Sequence, residues 1–184
     1  LYRRAGDMLI PIGEDQNTGR IINYYNSEDG LLVVSMNGLY RRAGDKLFPI
    51  GKDQKPRGYT KFYKARDGLL VGTPYGLYRK SGDKLIPIGK DRNLRGYLKF
   101  YKADDGLLVG ASRGVFRRDG DRLIPISKDL KTGMISEFYR SKDGPLVNAQ
   151  HGLYRRAGDW LIPVGWNQRT GSIRILYKAE DGLL

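Results

Sequence analysis

A repeat of 38 residues is the feature that most constrains the fold of this chain. The segment Leu-Tyr-Arg-Arg-Ala-Gly-Asp begins at Leu1, Leu39 and Leu153, and close variants of it begin at Leu77 and Val115. Similar segments at a fixed interval are typical of repeat architectures, in which each copy is one supersecondary unit. The chain therefore divides into five copies. They are residues 1–38, 39–76, 77–114, 115–152 and 153–184.

Four short β-rich segments separated by turn residues make up each copy. In the first copy they are residues 1–5, 8–13, 21–27 and 31–35. The pair Asp29-Gly30 between two such segments indicates a hairpin, for which we predict a type I′ turn with positive φ at both central residues. Because no segment combines helical length with a 3.6-residue period, the pattern predicts an all-β protein.

Proline sets the predicted strand order. It lies in the second segment of every copy, at Pro11, Pro49, Pro87, Pro125 and Pro163. Since proline has no N–H to donate to a ladder, this segment is predicted to be the edge strand of its sheet. The aromatic third segment, residues 61–64 in the second copy, is predicted to lie two strands further in.

Radially repeated four-stranded antiparallel sheets are the blades of a β-propeller. The five copies therefore predict a five-bladed β-propeller that forms a single domain over residues 1–184. We expect residues 1–13 to complete a blade with residues 173–184, because pairing the N-terminal and C-terminal strands closes the ring and removes open edges. A monomer is expected, with a strand-exchanged oligomer as the alternative. A β-solenoid is less consistent with the sequence, since solenoid repeats are shorter and lack hairpin turns.

The repeat also resembles a known family. The second copy gives the best match to the family pattern. That pattern runs Asp, Gly, an apolar residue, Trp, Ile or Val, and Gly-Thr, followed by Gly-Leu and an aromatic residue. The matching residues are Asp67, Gly68, Val71, Gly72, Thr73, Gly76, Leu77 and Tyr78. In these residues the chain is similar to the two-component-regulator propeller repeat, although Leu70 stands where the family has Trp and Asp adjoins Gly directly.

This resemblance implies an extracytoplasmic sensor domain, often one that recognises glycan fragments, in a ring that usually has more blades. A ring of five blades is similar to the tachylectin type of lectin. The copies are also unusually alike, because the second and third are identical at 27 of 38 positions. Recent amplification and engineering both explain that identity, so a structural scaffold without a ligand is the alternative function.

One face of the predicted ring varies between copies. It carries the loops at 14–20 and 34–38 and their equivalents, and variable loops on a rigid scaffold are where binding residues usually lie. Aromatic, amide, guanidinium and imidazole groups there suit recognition of a glycan or a similar small ligand. The alternative is drift at unconstrained positions. The predicted ligand-binding residues are Asn37, Tyr75, Arg113, Gln150, His151 and Trp166.

The opposite face carries a Gly-Asp turn, as in Ala5-Gly6-Asp7, and an Asp-Gly turn in every copy. Calcium binding by these carboxylates is one interpretation. The favoured one is that each Asp shapes its own tight turn, so no metal site is predicted. Pairs of basic residues such as Arg3-Arg4 and Arg41-Arg42 come just before these turns and are predicted to pair with the carboxylates. The aromatic residues beside them, such as Tyr40, are predicted to pack between blades.

The net charge of +13 favours acidic partners. Because most basic residues are expected to be paired, we predict only weak, salt-sensitive polyanion binding, and nucleic acid is not the expected partner. The chain has no cysteine and one histidine, and no nucleophile and base are apparent as a pair. No cofactor and no enzymatic activity are therefore predicted. No apolar run is long enough for a membrane-spanning helix.

Overall fold

Short antiparallel strands and tight turns form the part of the chain that the structure describes. The computed structural model describes residues 1–13, 18–52, 56, 58–89, 94, 96–127, 132–165, 178–179 and 182–183. Every regular element in these residues is a β-strand, which confirms the predicted all-β class. The described residues contain no helix that is long and apolar enough to cross a membrane.

The chain divides into two compact units, Leu1–Ile88 and Gly89–Leu184. The described strands of the first unit are β1 (Tyr2–Ala5), β2 (Met8–Pro11), β3 (Ile21–Ser27), β4 (Gly30–Ser35), β5 (Leu39–Ala43), β6 (Lys46–Ile50), β7 (Lys61–Ala65), β8 (Gly68–Thr73), β9 (Gly76–Ser81) and β10 (Lys84–Ile88). Those of the second unit are β11 (Lys99–Ala103), β12 (Gly106–Ala111), β13 (Gly114–Asp119), β14 (Arg122–Ile126), β15 (Ile135–Ser141), β16 (Gly144–Ala149), β17 (Gly152–Ala157), β18 (Trp160–Pro163), β19 (Lys178–Ala179) and β20 (Gly182–Leu183).

Four consecutive strands form each complete sheet. The first, second, third and fourth sheets are β3–β6, β7–β10, β11–β14 and β15–β18, and all their neighbouring strands are antiparallel. Each sheet therefore takes two segments from one copy and two from the next, as propeller blades with shifted boundaries do. At the two ends, β1–β2 and β19–β20 are two-stranded sheets. No closed sheet is present among the described strands, so ring closure stays a prediction.

The proline strand is an edge in all four complete sheets, as predicted. Pro49 lies in β6 and Pro87 in β10, the last strand in each sheet order. The aromatic strand, however, is the opposite edge, three strands away from the proline strand. The prediction that placed it two strands away is therefore wrong by one strand. A meander that begins at the aromatic segment and ends at the proline segment leaves both at edges.

The hairpin at Asp-Gly differs from the predicted turn type. Ser27 pairs with Gly30, so Glu28 and Asp29 are the central residues of the turn. Gly30 has a φ of 109°, whereas the only described non-glycine residue with positive φ is Ser127. The type I′ prediction is wrong, because its positive φ would have to fall on both central residues. Glycine instead takes the fourth position of the turn, where type I turns favour it.

Neighbouring sheets within each unit share a hydrophobic core. In the first unit, Leu32, Val34, Leu39 and Ile50 of the first sheet pack with Val71 and Leu85 of the second. In the second unit, Leu108 and Val115 pack against fourth-sheet residues such as Phe138 and Val147. Tyr78 packs against the first cluster and Tyr154 belongs to the second. These contacts confirm the predicted packing between blades for Tyr78 and Tyr154, whereas Tyr2, in the two-stranded sheet β1–β2, is 65% exposed.

Backbone hydrogen bonds also join successive sheets. The residue that follows the proline strand donates its N–H to the carbonyl of the turn Asp in the next sheet. In the first unit the bond from Gly51 to Asp83 is 3.0 Å, and in the second unit the bond from Ser127 to Asp159 is 3.0 Å. Gly51 has a φ of 61° and Ser127 has a φ of 51°, both in the left-handed region. Glycine suits this position because other residues are strained there.

The two-stranded sheet β1–β2 exposes a side chain that complete sheets bury. Leu9 is 67% exposed, whereas its equivalents in the first unit, Leu47 and Leu85, are 1% and 3% exposed. The local sequence is nearly the same in the three places, so the difference comes from the neighbours. Burial of this leucine therefore requires packing against the preceding sheet, as Leu47 packs in a cluster with Ile12, and not the hairpin alone.

Candidate functional site

The predicted ligand-binding residues lie on the loop tips between the second and third strands of the complete sheets. Asn37 and Tyr75 occupy these tips in the first unit, and Arg113, Gln150 and His151 occupy them in the second. All five are exposed, and Tyr75 is 66% exposed. Trp166 lies outside the described residues. The structure thus brings Asn37 and Tyr75 onto neighbouring sheets, and likewise Arg113 and His151, while their role in binding stays a prediction.

Buried hydroxyl groups hold two of these tips. The Oγ1 of Thr73 donates to the carbonyl of Gly76 and accepts from the N–H of Tyr75, both at 3.2 Å. Ser35 makes the same two contacts with Gly38 and Asn37, also at 3.2 Å. In the third and fourth sheets alanine stands in this position, at Ala111 and Ala149. A hydroxyl is therefore specific to the first two tips.

A second set of contacts ties the tips to the loops that precede each sheet. The N–H of Met36 donates to the carbonyl of Arg20 at 2.9 Å. In the fourth sheet the N–H groups of Gln150 and His151 donate to the carbonyls of Met134 and Thr132, at 2.9 and 3.1 Å. These bonds confirm that the loops near residues 20 and 36 share one face. The tip backbone is fixed while its side chains remain exposed.

The opposite face, called here the Asp-turn face, carries the turns at 28–30 and 44–45 and their equivalents. In the first unit, Arg41 forms two hydrogen bonds with Asp83, of 2.9 and 3.1 Å. Lys80 reaches Asp29 with an Nζ–Oδ2 distance of 2.6 Å. Each of these pairs joins the first sheet to the second. The predicted pairing of basic residues with turn carboxylates is confirmed, and in these two pairs the partner carboxylate lies on the neighbouring sheet.

The second unit repeats this arrangement two copies later in the chain. Arg117 contacts Asp159 at 3.3 Å, and Arg156 forms a bidentate pair with Asp105 through bonds of 2.7 and 2.5 Å. The side chain of Arg156 is only 5% exposed. Bidentate Arg–carboxylate pairs combine two charge-assisted hydrogen bonds, so they fix the relative position of the groups that carry them.

These pairs shift the protonation of the carboxylates. Hydrogen bonds from Lys80 and Arg41 lower the pKa of Asp29 and of Asp83 below the ordinary value of 3.8. The hydrogen bond from Arg156 lowers the pKa of Asp105 in the same way. The carboxylates are therefore ionised at neutral pH and occupied by cations. The described residues contain no group of three or more His, Cys, Asp or Glu side chains that could hold a metal ion.

The Asp-turn face also contains clefts that the sequence did not predict. One cleft of about 300 Å³ lies between the first and second sheets and is lined by residues that include Tyr25, Lys64 and Lys80. A cleft of about 1070 Å³ lies between the third and fourth sheets, with Tyr101, Arg140 and Arg156 in its lining. The two linings are largely equivalent, because each residue that lines the first cleft has a counterpart 76 residues, or two repeats, later in the second, to which Phe100 and Gly158 are added.

The comparisons with known proteins find the same fold but no family. No protein-family model matches the chain. No curated protein matches it either. Two crystal structures of the extracellular domain of BT4673 from B. thetaiotaomicron, described as a hybrid two-component system in one and a one-component system in the other, match with a TM-score of 0.56. Their identities are 18% and 19%, over 93% and 91% of this chain.

This chain spans only 25% of the length of the BT4673 domain. The computationally designed Ika8 protein matches with a TM-score of 0.53 and 8% identity, over 94% of this chain and 57% of the designed one. At such identities the likeness shows the fold alone. It supports repeated propeller-like sheets of the kind found in the extracellular domain of BT4673 and in the designed protein.

Proposed function

We propose that this chain is a non-catalytic binding module of lectin or sensor type, which recognises a glycan or a similar small ligand through its exposed loop tips. One observation carries the proposal: side chains of different chemistry occupy equivalent exposed tips on nearly identical, buried strands. Tyr75 and Arg113 are equivalent positions in two copies and differ in chemistry. The residues directly before them, Pro74 and Ser112, differ too, whereas the strands on either side are nearly the same in sequence.

The tip geometry supports presentation of these side chains to a ligand. The Thr73 hydroxyl and the loop carbonyls accept hydrogen bonds from tip N–H groups and so hold the tip backbone, which leaves little conformational entropy to be lost there on binding. Aromatic side chains such as Tyr75 offer a large contact area with few rotatable bonds. The amide of Gln150 and the imidazole of His151 add hydrogen-bonding groups suited to sugar hydroxyls.

A glycan array with the wild-type chain and two variants tests the proposal. Tyr75→Ala removes a tip side chain in the first unit, and His151→Ala removes one in the second. We expect at least one of these variants to bind an array glycan more weakly than the wild type does, depending on which unit binds that glycan. Tyr24→Ala is the matched control, because Tyr24 is 64% exposed but lies in the middle of β3. Retention of every hit in both tip variants, with unchanged melting temperatures, would refute a role for the tips.

A structural scaffold without a ligand is the second candidate. It is favoured by the 27 identical positions between the second and third copies, and by the likeness of the fold to a designed protein. The carboxylates of the Asp-turn face serve ion pairs between sheets, which is also what a scaffold requires. A stable chain that binds no glycan on the array would favour this candidate over the binding module.

A further inference from the structure

The two clefts of the Asp-turn face differ in how their charges are balanced. In the first cleft, between the first and second sheets, both lining carboxylates have a cation. Glu28 lies 2.7 Å from Lys64, and Asp29 lies 2.6 Å from Lys80. Among the described lining residues, Arg66 is the one cation that has no carboxylate partner. This cleft therefore carries little uncompensated charge.

The second cleft, between the third and fourth sheets, keeps only one of these two pairs. Arg156 binds Asp105, as Lys80 binds Asp29. The rim pair has no counterpart among the described contacts, although Asp104 and Arg140 occupy the positions of Glu28 and Lys64. Lys102 takes the place of Asn26. The unpaired cations of this cleft are Lys102, Arg140 and Lys142.

Three cations thus face one free carboxylate across a cleft of about 1070 Å³, which is large enough for a small organic ligand. Arg156, whose charge is balanced by Asp105, also lines this cleft. Its Nε is a buried donor without a hydrogen-bond partner, while its two Nη atoms are held by Asp105. The rings of Phe100 and Tyr101 complete the lining with apolar surface. The cleft therefore combines separated positive charges with a partly apolar wall.

We infer that the second cleft binds a compact molecule that carries two or more oxyanion groups. Charge-assisted hydrogen bonds from Arg140 and Lys142 on one side and from Lys102 on the other would hold groups spaced across the cleft. This site is distinct from the loop tips, which lie at the other ends of the strands, and it stands whether or not the tips bind a glycan. Since the rim cations are exposed, binding weakens as salt concentration rises.

Calorimetry and amide chemical-shift mapping on the full chain test the inference with two probes. Inositol hexakisphosphate supplies phosphates and trigalacturonate supplies carboxylates, so the pair of probes separates two sources of the same chemistry. At low salt we expect at least one probe to bind with shifts at residues 100–105 and 140–145. The double variant Arg140→Gln/Lys142→Gln should raise the Kd of that probe about tenfold, because it removes two solvent-screened charge contacts with the probe.

The repeat provides the matched control. Lys64→Gln/Arg66→Gln changes the net charge equally, at the equivalent positions of the first cleft, and should change the Kd less than about twofold because no probe contacts it. Both double variants alter exposed side chains, and an unchanged melting temperature verifies the fold. The inference is overturned if neither probe binds, if the shifts lie elsewhere, or if both double variants weaken binding equally.

Discussion

A methyl group added at Gly51 tests how the first and second sheets pack. A Cβ at this position would lie 2.5 Å from Cδ1 and 2.6 Å from Cγ of Leu85, on the neighbouring sheet. The φ of 61° adds strain, because this backbone region disfavours alanine by about 1–2 kcal/mol. Overpacking in a buried site costs a further 1–3 kcal/mol, roughly. We therefore expect Gly51→Ala to lower the free energy of unfolding by about 2–5 kcal/mol.

Gly44→Ala separates the two contributions. Gly44 has a φ of 60°, but a Cβ there would meet nothing within 4 Å. Its replacement should therefore cost only the backbone term of about 1–2 kcal/mol. Gly89→Ala repeats the crowded case in the second unit, where the added Cβ would lie 2.7 Å from Cδ1 of Leu123.

Urea denaturation and thermal melting, both followed by far-UV circular dichroism, measure these costs. In a chain of this size each 1 kcal/mol corresponds to about 2–4 °C in melting temperature. The crowded variants should consequently melt several degrees below Gly44→Ala. Equal destabilisation by Gly44→Ala and Gly51→Ala would refute the close approach of Leu85, and so the packing of the two sheets at this point.

Three further predictions concern hydrogen bonds and ion pairs. Thr73→Ala removes both hydroxyl contacts of a buried tip residue, so urea denaturation should show the free energy of unfolding lowered by about 1–2 kcal/mol. A decrease no larger than that from a substitution at an exposed site would contradict the tip geometry. Because pairing lowers the pKa of Asp105 in the folded chain, its contribution to stability is present above the unfolded value of about 3.8 and is lost as pH falls through the lower folded value. Melting curves should therefore show the wild type more stable than Asp105→Asn above about pH 5 and the difference shrinking below pH 4, whereas a constant difference would contradict the pair. Weak heparin binding that disappears as salt rises is expected, and tight binding at physiological salt would show that the basic residues are not paired as described.

Features that depend on one residue's own backbone chemistry could be predicted from the sequence. Proline cannot donate to a ladder wherever it occurs, so Pro49 and Pro87 marked the edge strands correctly. The hairpin turn was harder, because it depends on register. Pairing of Ser27 with Gly30 places Asp29 inside the turn and Gly30 at its fourth position, and Asp-Gly alone does not distinguish this register from the predicted one.

Features that depend on packing between sheets were beyond the sequence. Arg41 and Asp83 are 42 residues apart, and Lys80 and Asp29 are 51 apart. Basic residues and turn carboxylates recur in every copy, so their pairing was predictable, but the choice of partner depends on how two sheets pack. In the sequence, the two clefts differ mainly by conservative replacements between copies, such as Glu28 by Asp104, and such replacements do not reveal which side chains pair. The loop tips were placed correctly because hairpin connectivity alone assigns loops to one face.

The contact surface of a bound glycan is the most direct test of the proposed function. Amide chemical shifts of the full chain, measured as the strongest array ligand is added, map that surface residue by residue. The proposal predicts shifts at the loop tips, including the amides of Tyr75 in the first unit or of Arg113 and His151 in the second. Shifts confined to the strands or to the Asp-turn face, or no shift with any glycan, would contradict it.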